Sequence, residues 1–245
     1  MEYRGDYLDR DFQSDIMNFI IISIGNELLS GDVVNTNATF LAKKITKLGH
    51  RVVKIVVIPD LVEVISEEVR KASDLADFVL VTGGLGATHD DVTSEAVAKA
   101  FGKKLTLNDA VYRRLKDVSC NDKAIRKIST VPEGCEIVWN DVGAAPAFIV
   151  ENVAVMPGVP AEMENTFNKI IKRFGREEYY EEILEVSSLE EEIVEKLNKV
   201  VKEFPEVQIG SYPKRGFVLI KFSGKDSERV RKARLMLQNL LNVTG

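Results

Sequence analysis

The sequence has little cysteine and no excess of positive charge. Its 245 residues include two cysteines, Cys120 and Cys135, which do not form a Cys-x-x-Cys pair. Zinc sites and disulfide frameworks need more cysteines at suitable spacings, so we expect neither, and this cysteine usage is typical of a reducing cytoplasm. The formal net charge of −5 at pH 7 argues against the broad basic surface that wraps duplex nucleic acid, so we expect no nucleic-acid partner.

Long apolar segments are missing as well. Residues 1–16 mix charges of both signs and lack the apolar stretch of a secretory signal. The first apolar run, Phe19–Ile22, is far shorter than the roughly 20 residues that span a bilayer. We therefore expect a cytoplasmic protein without a membrane partner, in which residues 1–17 form a flexible extension and Met17 is an alternative start.

Strand and helix signals alternate from residue 18 onward. The continuous β-branched run Phe19–Ile24 predicts a strand that is buried on both faces. Val52–Ile58 and Phe78–Thr82 predict a second and a third strand. Apolar residues at helical spacing follow each of them and predict amphipathic helices. This β-α-β-α-β order indicates an α/β domain over residues 18–175, with a mostly parallel sheet covered by helices on both faces.

The rest of this domain is less regular. Asn108–Asp117 predicts a short helix, Val153–Met156 a strand, and Pro160–Phe174 a helix that begins with proline. The stretch Lys103–Val138 otherwise has no clear pattern. His50 follows a helix, and we expect it at the surface.

Residues 176–245 differ in composition and predict a small α+β domain. Arg176–Glu195 carries nine glutamates, which we interpret as a solvated acidic surface. Ser188–Glu191 has the pattern of a capping box at a helix start. The remaining signals complete a β-α-β-β-α order, namely strands at Glu182–Ser187, Val207–Tyr212 and Phe217–Phe222 and a helix at Ser227–Leu241.

The strongest chemical signal is the segment Thr82–Thr93, TGGLGATHDDVT, between a buried strand and a helix. Gly83, Gly84 and Gly86 let the backbone approach a ligand and present N–H groups to it. The helix N-terminus adds partial positive charge, so this loop predicts a phosphate site at the carboxyl edge of the sheet. It is neither a Walker loop nor a dinucleotide fingerprint, because His89 stands where the third glycine belongs.

Aspartates accompany this glycine loop. Asp90 and Asp91 would repel a bare phosphate, so we expect them to hold Mg²⁺ or a similar cation that bridges to it. The alternative is that Asp91 and Thr93 cap the helix. Asp60 follows the second strand at the same sheet edge and is a further candidate metal ligand or, alternatively, a turn residue. Thr88 is a candidate ligand contact, and so is Thr93.

The loop after the first strand, Gly25–Asn37, is rich in amide side chains. Asn35 or Asn37 can cap the following helix, and capping explains one of them. It does not explain Glu27 or the second asparagine. Because asparagine both donates and accepts hydrogen bonds, this loop is suited to the edge of a purine or pterin ring.

Two later segments contain proline and small residues, GAAPAF at residues 143–148 and MPGVPAEM at residues 156–163. They shape a tight loop and a helix start, and they make Gly158 a further candidate ligand contact. The alternative is that they only terminate strands.

Taken together, these segments resemble the amino-terminal domain of the CinA (competence-damage-inducible) family. The resemblance lies in GNELLSG…NTN, TGGLGATHDDVT, GAAPAF and MPGVPAEME, in that order, and covers about residues 18–175. Residues 204–213 also resemble the small domain of archaeal and FAD-synthase-associated relatives. The shorter MoaB/Mog relatives share the TGG…DxT loop and a carboxylate that resembles Asp60.

The resemblance implies a three-layer α/β/α domain that binds molybdopterin or a nucleotide. CinA-like members act as metal-dependent pyrophosphatases on ADP-ribose or FAD-like dinucleotides. Three residues depart from the family pattern: Ala87 replaces a proline, and Ala144 and Ala147 replace a threonine and a glycine. These changes put substrate fit and activity in doubt. Since the sequence ends where many bacterial relatives continue into a deamidase domain, we expect that activity to be absent.

The leading hypothesis is therefore a hydrolase for nucleotide pyrophosphates such as ADP-ribose. Glycine-loop amides would hold a phosphate, and Asp60, Asp90 and Asp91 would hold Mg²⁺ or Co²⁺. One alternative is a molybdopterin-binding protein of molybdenum cofactor biosynthesis, and another is a non-catalytic ligand-binding member of the fold. We also expect a homo-oligomer, either a dimer or a trimer.

Overall fold

The computed structural model describes residues 16–117, 120–175 and 178–241. The chain divides into two compact units, the larger one within residues 16–175 and the smaller one containing residues 178–241. Most of the predicted extension, residues 1–15, lies outside the described residues. Within these ranges, no helix combines the length and the apolar character needed to cross a membrane.

The larger unit alternates strands and helices along most of its length. Its strands are β1 (Asn18–Ile24), β2 (Arg51–Ile58), β3 (Phe78–Thr82), β4 (Leu105–Leu107), β5 (Thr130–Pro132), β6 (Glu136–Val138), β7 (Ala147–Val150) and β8 (Val153–Met156). Its helices are α1 (Asn26–Ser30), α2 (Thr36–Lys47), α3 (Val62–Leu75), α4 (Thr93–Ala100), α5 (Asp109–Lys116), α6 (Asp122–Ser129) and α7 (Pro160–Ile170), followed by a 3-10 turn at Ile171–Arg173.

Six strands form the central sheet, in the order β2-β1-β3-β8-β7-β6. The first four run parallel to one another, whereas β7 and β6 are antiparallel to their neighbours. The predicted mostly parallel sheet is thus confirmed. Strand β7 was not predicted, because its four residues follow directly on the alanines and proline that indicated a loop.

The sheet separates two hydrophobic cores. In β1, Ile20, Ile22 and Ile24 belong to one core, and Phe19 and Ile21 belong to the other. Helices α3 and α4 cover the first core, and α2 and α7 cover the second. This arrangement is the expected three-layer α/β/α domain. It explains the uninterrupted apolar runs, since both faces of each central strand are buried.

The stretch between α4 and β7, which is irregular in the sequence, consists of short elements. Helix α5 agrees with the prediction over Asn108–Asp117, and Asn108 caps it by accepting from the N–H groups of Ala110 and Val111. Strands β4 and β5 pair antiparallel as a separate ribbon. Strands of three residues are too short for hydrophobic periodicity to reveal them.

Two residues near the start of the larger unit lie deeper than expected. Met17, which the sequence assigned to the extension, is 3% exposed, and its N–H donates to Nδ1 of His50 at 3.4 Å. The expectation that His50 lies at the surface is wrong, since it is 6% exposed and packs against Phe19. Its Nε2 lies 2.9 Å from the carbonyl oxygen of Gly175. Both polar partners are distant in sequence, so no local pattern indicates them.

The smaller unit has the predicted β-α-β-β-α order. Its elements are β9 (Tyr180–Val186), α8 (Glu190–Glu203), β10 (Gln208–Lys214), β11 (Phe217–Gly224) and α9 (Ser227–Leu241). The three strands pair antiparallel in the order β10-β11-β9. Both helices contribute apolar side chains to a core that belongs to this unit, such as Val200 from α8 and Leu237 from α9.

The start of α8 differs from the predicted capping box by one residue. Leu189 is the N-cap residue, and its N–H donates to the carboxylate of Glu192 at 3.3 Å. The hydroxyl of Ser188 donates to the same carboxylate. Because leucine has no side-chain acceptor, only the glutamate half of a capping box is present, and Glu191 is not part of it.

Candidate functional site

A cavity of about 440 Å³ lies at the carboxyl edge of the parallel strands. Its walls are the loops that follow β1, β2, β3 and β8, and they include Gly25, Asp60, Gly83 and Pro157. Because parallel strands end at the same edge of a sheet, these loops meet although they are distant in sequence.

Most of the predicted site residues lie around this cavity. The residues that line it are Glu27, Asn35, Asn37, Asp60, Gly83, Gly84, Gly86, Asp90, Asp91 and Gly158. Thr88 and Thr93 do not line it. Both instead hold the glycine loop in place by hydrogen bonds within it.

The turn after β3 requires glycine at two positions. Gly83 has a φ of 114°, and a Cβ atom there would lie 2.2 Å from the carbonyl oxygen of Ile24. Gly84 has a φ of 69°, and its Cβ would lie 2.1 Å from Oγ1 of Thr93. Thr93 is fully buried and donates from Oγ1 to the carbonyl oxygen of Gly83 at 2.9 Å. This hydrogen bond from Thr93 thus links the glycine loop to the first turn of α4.

The same turn leaves backbone donors available to a ligand. Within the part of the chain that the structure describes, the N–H groups of Gly84, Leu85 and Gly86 donate to no other protein atom. All three residues line the cavity. Successive unpaired N–H groups at a glycine turn form a concavity that binds anions, and the N-terminus of α4 adds partial positive charge.

Thr88 positions both aspartates of the glycine loop. Its N–H and hydroxyl lie 2.8 and 2.6 Å from Oδ2 of Asp91, and the hydroxyl also lies 2.5 Å from Oδ1 of Asp90. The hydrogen bond from the Thr88 hydroxyl is the largest cause of a lowered pKa at Asp90. The alternative that Asp91 and Thr93 cap α4 is wrong, since the N-cap residue is Val92 and no side chain caps the helix.

Asp60 connects the loop after β2 to the loop after β1. Its Oδ2 accepts a hydrogen bond from the N–H of Asn26 at 2.8 Å. The pKa of Asp60 is nevertheless raised, first because burial desolvates the carboxylate and then because Glu27 and Asp90 bring like charge. Asp60 therefore lies near the carboxylates of Glu27 and Asp90, which come from two other segments of the chain.

The charge of the cavity wall is of one sign. Among the described residues, its lining includes the carboxylates of Glu27, Asp60, Asp90, Asp91 and Glu162, and it includes no lysine, arginine or histidine. No three histidine, cysteine, aspartate or glutamate side chains converge as metal ligands in residues 16–117, 120–175 or 178–241. The wall thus attracts cations but does not form a complete metal site from protein groups alone.

Two of the three asparagines in Gly25–Asn37, Asn35 and Asn37, hold this loop by side-chain hydrogen bonds. Asn35 caps α2, because its Oδ1 accepts from the N–H of Ala38 at 3.1 Å. Asn37 donates from Nδ2 to Oγ1 of Thr82 at 3.0 Å and to the carbonyl oxygen of Gly158 at 2.8 Å. Oδ1 of Asn37 is buried and has no partner among the described residues. Of the amide atoms of Asn37, this oxygen is the one that remains for a ring edge.

Glu162 is a lining residue to which the sequence assigned no role. It belongs to the MPGVPAEME segment, which indicated only a helix start. Its Oε2 accepts from Nδ2 of Asn140 at 2.7 Å. Asn140 is 4% exposed and also donates to the carbonyl oxygen of Ala145 at 3.0 Å. The link between residues 140 and 162 is tertiary, so motif spacing does not reveal it.

The three positions that depart from the family pattern differ in their relation to the cavity. Ala144 lines it, so the absent threonine hydroxyl changes the cavity wall. Ala147 is fully buried in β7, and Ala87 is exposed in the glycine loop, and neither lines the cavity. Of the three, only Ala144 bears directly on substrate fit.

Two family models match the chain. The model described as "Probable molybdopterin binding domain" matches residues 20–176, and the one described as "FAD synthase, middle domain" matches residues 178–244. A protein of Archaeoglobus fulgidus is 65% identical over 226 residues, which cover 92% of this chain and 99% of that protein.

More distant relatives bear the CinA name. A CinA-like protein of Thermosipho melanesiensis is 32% identical over 233 residues, covering 90% of this chain. The match spans only 58% of that protein's length. The crystal structure of the protein CinA, of unknown function, from Thermoplasma acidophilum is 34% identical with a TM-score of 0.60. That similarity covers 63% of this chain and 97% of the other.

Proposed function

This chain belongs to the family of molybdopterin-binding domains with CinA-like members, and we propose that it is a metal-dependent hydrolase of nucleotide pyrophosphates. Its substrates would be ADP-ribose or FAD-like dinucleotides. The observation that carries the proposal is one cavity that combines unpaired N–H groups at Gly84–Gly86 with carboxylates from three loops.

The donor set of the cavity fits a divalent cation that arrives with a phosphate. Mg²⁺ is usually bound by one or two carboxylates together with substrate phosphate oxygens, so a complete protein cage is not needed. Asp60, Asp90 and Asp91 would hold it. The pKa of Asp60 is raised first by desolvation and then by the negative charge of Glu27 and Asp90, and a bound cation would offset both effects. When bound, the cation would supply charge neutralisation and an activated water molecule.

The remaining steps belong to groups of this chain. The N–H groups of Gly84, Leu85 and Gly86 would donate to phosphate oxygens and orient the phosphorus for attack. Thr88 would keep Asp90 and Asp91 in position. Water would add to one phosphorus as the bridging P–O bond breaks, so ADP-ribose would give AMP and ribose 5-phosphate.

The name of the family that matches the smaller unit supports the substrate class. It refers to FAD synthase, and FAD contains a pyrophosphate bond between two nucleotide halves.

A second candidate function is molybdopterin binding in cofactor biosynthesis, which the description of the other family favours. Both candidate functions use the same phosphate-binding loop, but only the first predicts that the bound ligand is hydrolysed.

A turnover assay separates these functions. Purified protein is incubated with ADP-ribose or FAD and with Mg²⁺, Co²⁺ or EDTA, and products are separated by liquid chromatography. We expect AMP to form with a divalent cation and not with EDTA. Pterin fluorescence in the purified protein, without hydrolysis, would favour molybdopterin binding. Nucleotide binding without hydrolysis would indicate a non-catalytic member of the fold.

A further inference from the structure

The cavity at the carboxyl edge of the parallel strands, called the main cavity below, carries too much negative charge to hold a whole pyrophosphate group. Its lining includes five carboxylates and no basic side chain. One cation and three N–H groups can accommodate one phosphate, but a pyrophosphate group carries a second one. The second phosphate would therefore need a basic side chain next to the glycine loop.

A second cavity of about 300 Å³ adjoins the same loop. It shares Gly84, Leu85, Gly86 and Asp91 with the main cavity, so the two adjoin at the turn after β3. Its lining includes Lys127 and His89 together with the carboxylates of Asp91 and Glu95. Among the described residues, the second cavity thus has a lysine in its wall, which the main cavity lacks.

Lys127 is held at this loop from α6. Its ammonium group donates to the carbonyl oxygen of Thr88, and its charge contributes to the lowered pKa of Asp90, after the larger effect of the Thr88 hydroxyl. Within the described residues it forms no ion pair, whereas its neighbour Arg126 is bound to Asp122 at 2.8 Å. An ammonium group has three protons, so two remain for a ligand.

We propose that this second cavity, the Lys127 pocket, binds the second phosphate of a pyrophosphate-bridged ligand, with Lys127 as the contact. The proposal rests on the proposed function, because the first phosphate is the one placed at the N–H groups of Gly84–Gly86. The pyrophosphate would cross the shared turn, and the bridging bond would lie next to Asp91. Lys127 would then distinguish diphosphates from monophosphates.

Binding of simple phosphates tests this proposal without turnover. Calorimetry in the presence of Mg²⁺ compares inorganic pyrophosphate with inorganic phosphate on the wild type and on Lys127→Met, which removes the charge but keeps the length. Lys127→Arg restores the charge, and Lys123→Met is the matched control. Lys123 is an exposed lysine one turn earlier on α6 that does not line the pocket.

We expect Lys127→Met to weaken pyrophosphate binding about tenfold or more, as for the loss of one hydrogen bond to a charged group. Phosphate binding should change less than threefold, Lys127→Arg should recover most of the loss, and Lys123→Met should behave as wild type. The inference is overturned if wild type does not bind pyrophosphate, or if Lys127→Met leaves binding unchanged or weakens both anions equally.

The same variants separate this inference from the proposed function. Pyrophosphate binding that depends on Lys127, in a protein that hydrolyses no dinucleotide, would refute the hydrolase and leave the pocket in place. Hydrolysis of ADP-ribose by Lys127→Met with an unchanged KM would refute the pocket and leave the hydrolase in place.

Discussion

Asp60 combines a stabilising hydrogen bond with an unfavourable charge. Its pKa is raised above the ordinary value of 3.8, chiefly by desolvation, with Glu27 and Asp90 adding repulsion. A carboxyl group whose pKa is raised on folding favours the folded state when it is protonated. This contribution is fully present below the unfolded-state pKa and is lost as the pH rises through the folded-state pKa. At neutral pH the ionised group therefore opposes folding.

Replacing Asp60 by asparagine should for this reason raise the melting temperature at neutral pH. Asparagine keeps an acceptor for the N–H of Asn26 but carries no charge. The gain should shrink as the pH falls through the raised folded-state pKa and should be absent below the unfolded value of 3.8. At neutral pH the substitution should also lower cation affinity and turnover. Thermal melts at several pH values, with calorimetric Mg²⁺ titration, measure both effects.

Asp77→Asn is the control for Asp60→Asn. Asp77 also accepts a backbone N–H, from Asn18 at 2.7 Å, but it does not line the cavity. We expect it to leave Mg²⁺ affinity unchanged and not to raise stability. A lower melting temperature for Asp60→Asn at neutral pH would contradict this interpretation of its charge.

At Asp91, a single substitution can distinguish a ligand of the cation from a residue that only supports the glycine loop. Oδ2 of Asp91 accepts a hydrogen bond from the N–H of Thr88 and lies 2.6 Å from the Thr88 hydroxyl, whose single proton also faces Asp90. Asparagine can keep both contacts through its own oxygen. If Asp91 binds the cation, Asp91→Asn should keep its melting temperature while cation affinity and ADP-ribose turnover fall together, each by about tenfold or more. Wild-type behaviour in both assays would make Asp91 a structural residue and move the search for the cation to Asp60, Asp90 and Glu27.

At the scale of elements, the glycine loop and α4 act as one unit. Gly84 and Gly102 both have positive φ angles, 69° and 61°. A Cβ at Gly84 would collide with buried Thr93, whereas a Cβ at Gly102 meets no atom within 4 Å. Substitution of Gly102 therefore tests backbone strain alone, whereas substitution of Gly84 tests backbone strain together with displacement of the loop.

We expect Gly102→Ala to lower the free energy of unfolding by about 1–2 kcal/mol, the usual cost of a left-handed conformation. Gly84→Ala should lower it further and should also reduce nucleotide binding, because the loop must move away from Thr93. Urea unfolding and nucleotide titration of both variants provide the comparison. Equal losses of stability, with binding intact in both, would show that Thr93 does not fix the loop.

At the scale of the whole molecule, two units differ in their chemistry. The larger one carries both cavities, and the smaller one has its own apolar core. The sequence of the smaller unit has no glycine-rich phosphate loop. We expect residues 176–245, prepared alone, to fold cooperatively and to bind neither ADP-ribose nor pyrophosphate. Circular dichroism and calorimetry measure this, and nucleotide hydrolysis by this fragment would show that the assignment is wrong.

The sequence alone determined the strands that are buried on both faces. Runs such as Phe19–Ile24 and Phe78–Thr82 are apolar on both faces, and this predicted the parallel strands correctly. The glycine loop was also visible, because Gly83 and Gly84 occur directly after a strand, where a positive φ is needed. A continuous apolar run favours burial on both faces, and glycine favours a positive φ, so a local stretch of sequence is enough to predict these features.

Only the tertiary structure decided which side chains meet. It buried His50 against residues at both ends of the larger unit, paired Asn140 with Glu162, and placed Lys127 at the glycine loop. It also showed that Thr88 and Thr93, both candidate ligand contacts, form hydrogen bonds that hold this loop. Each of these contacts joins positions whose proximity is set by strand order, loop path and side-chain packing. Hydrophobic periodicity along the sequence does not reveal this proximity, because it arises only when the separate elements pack together.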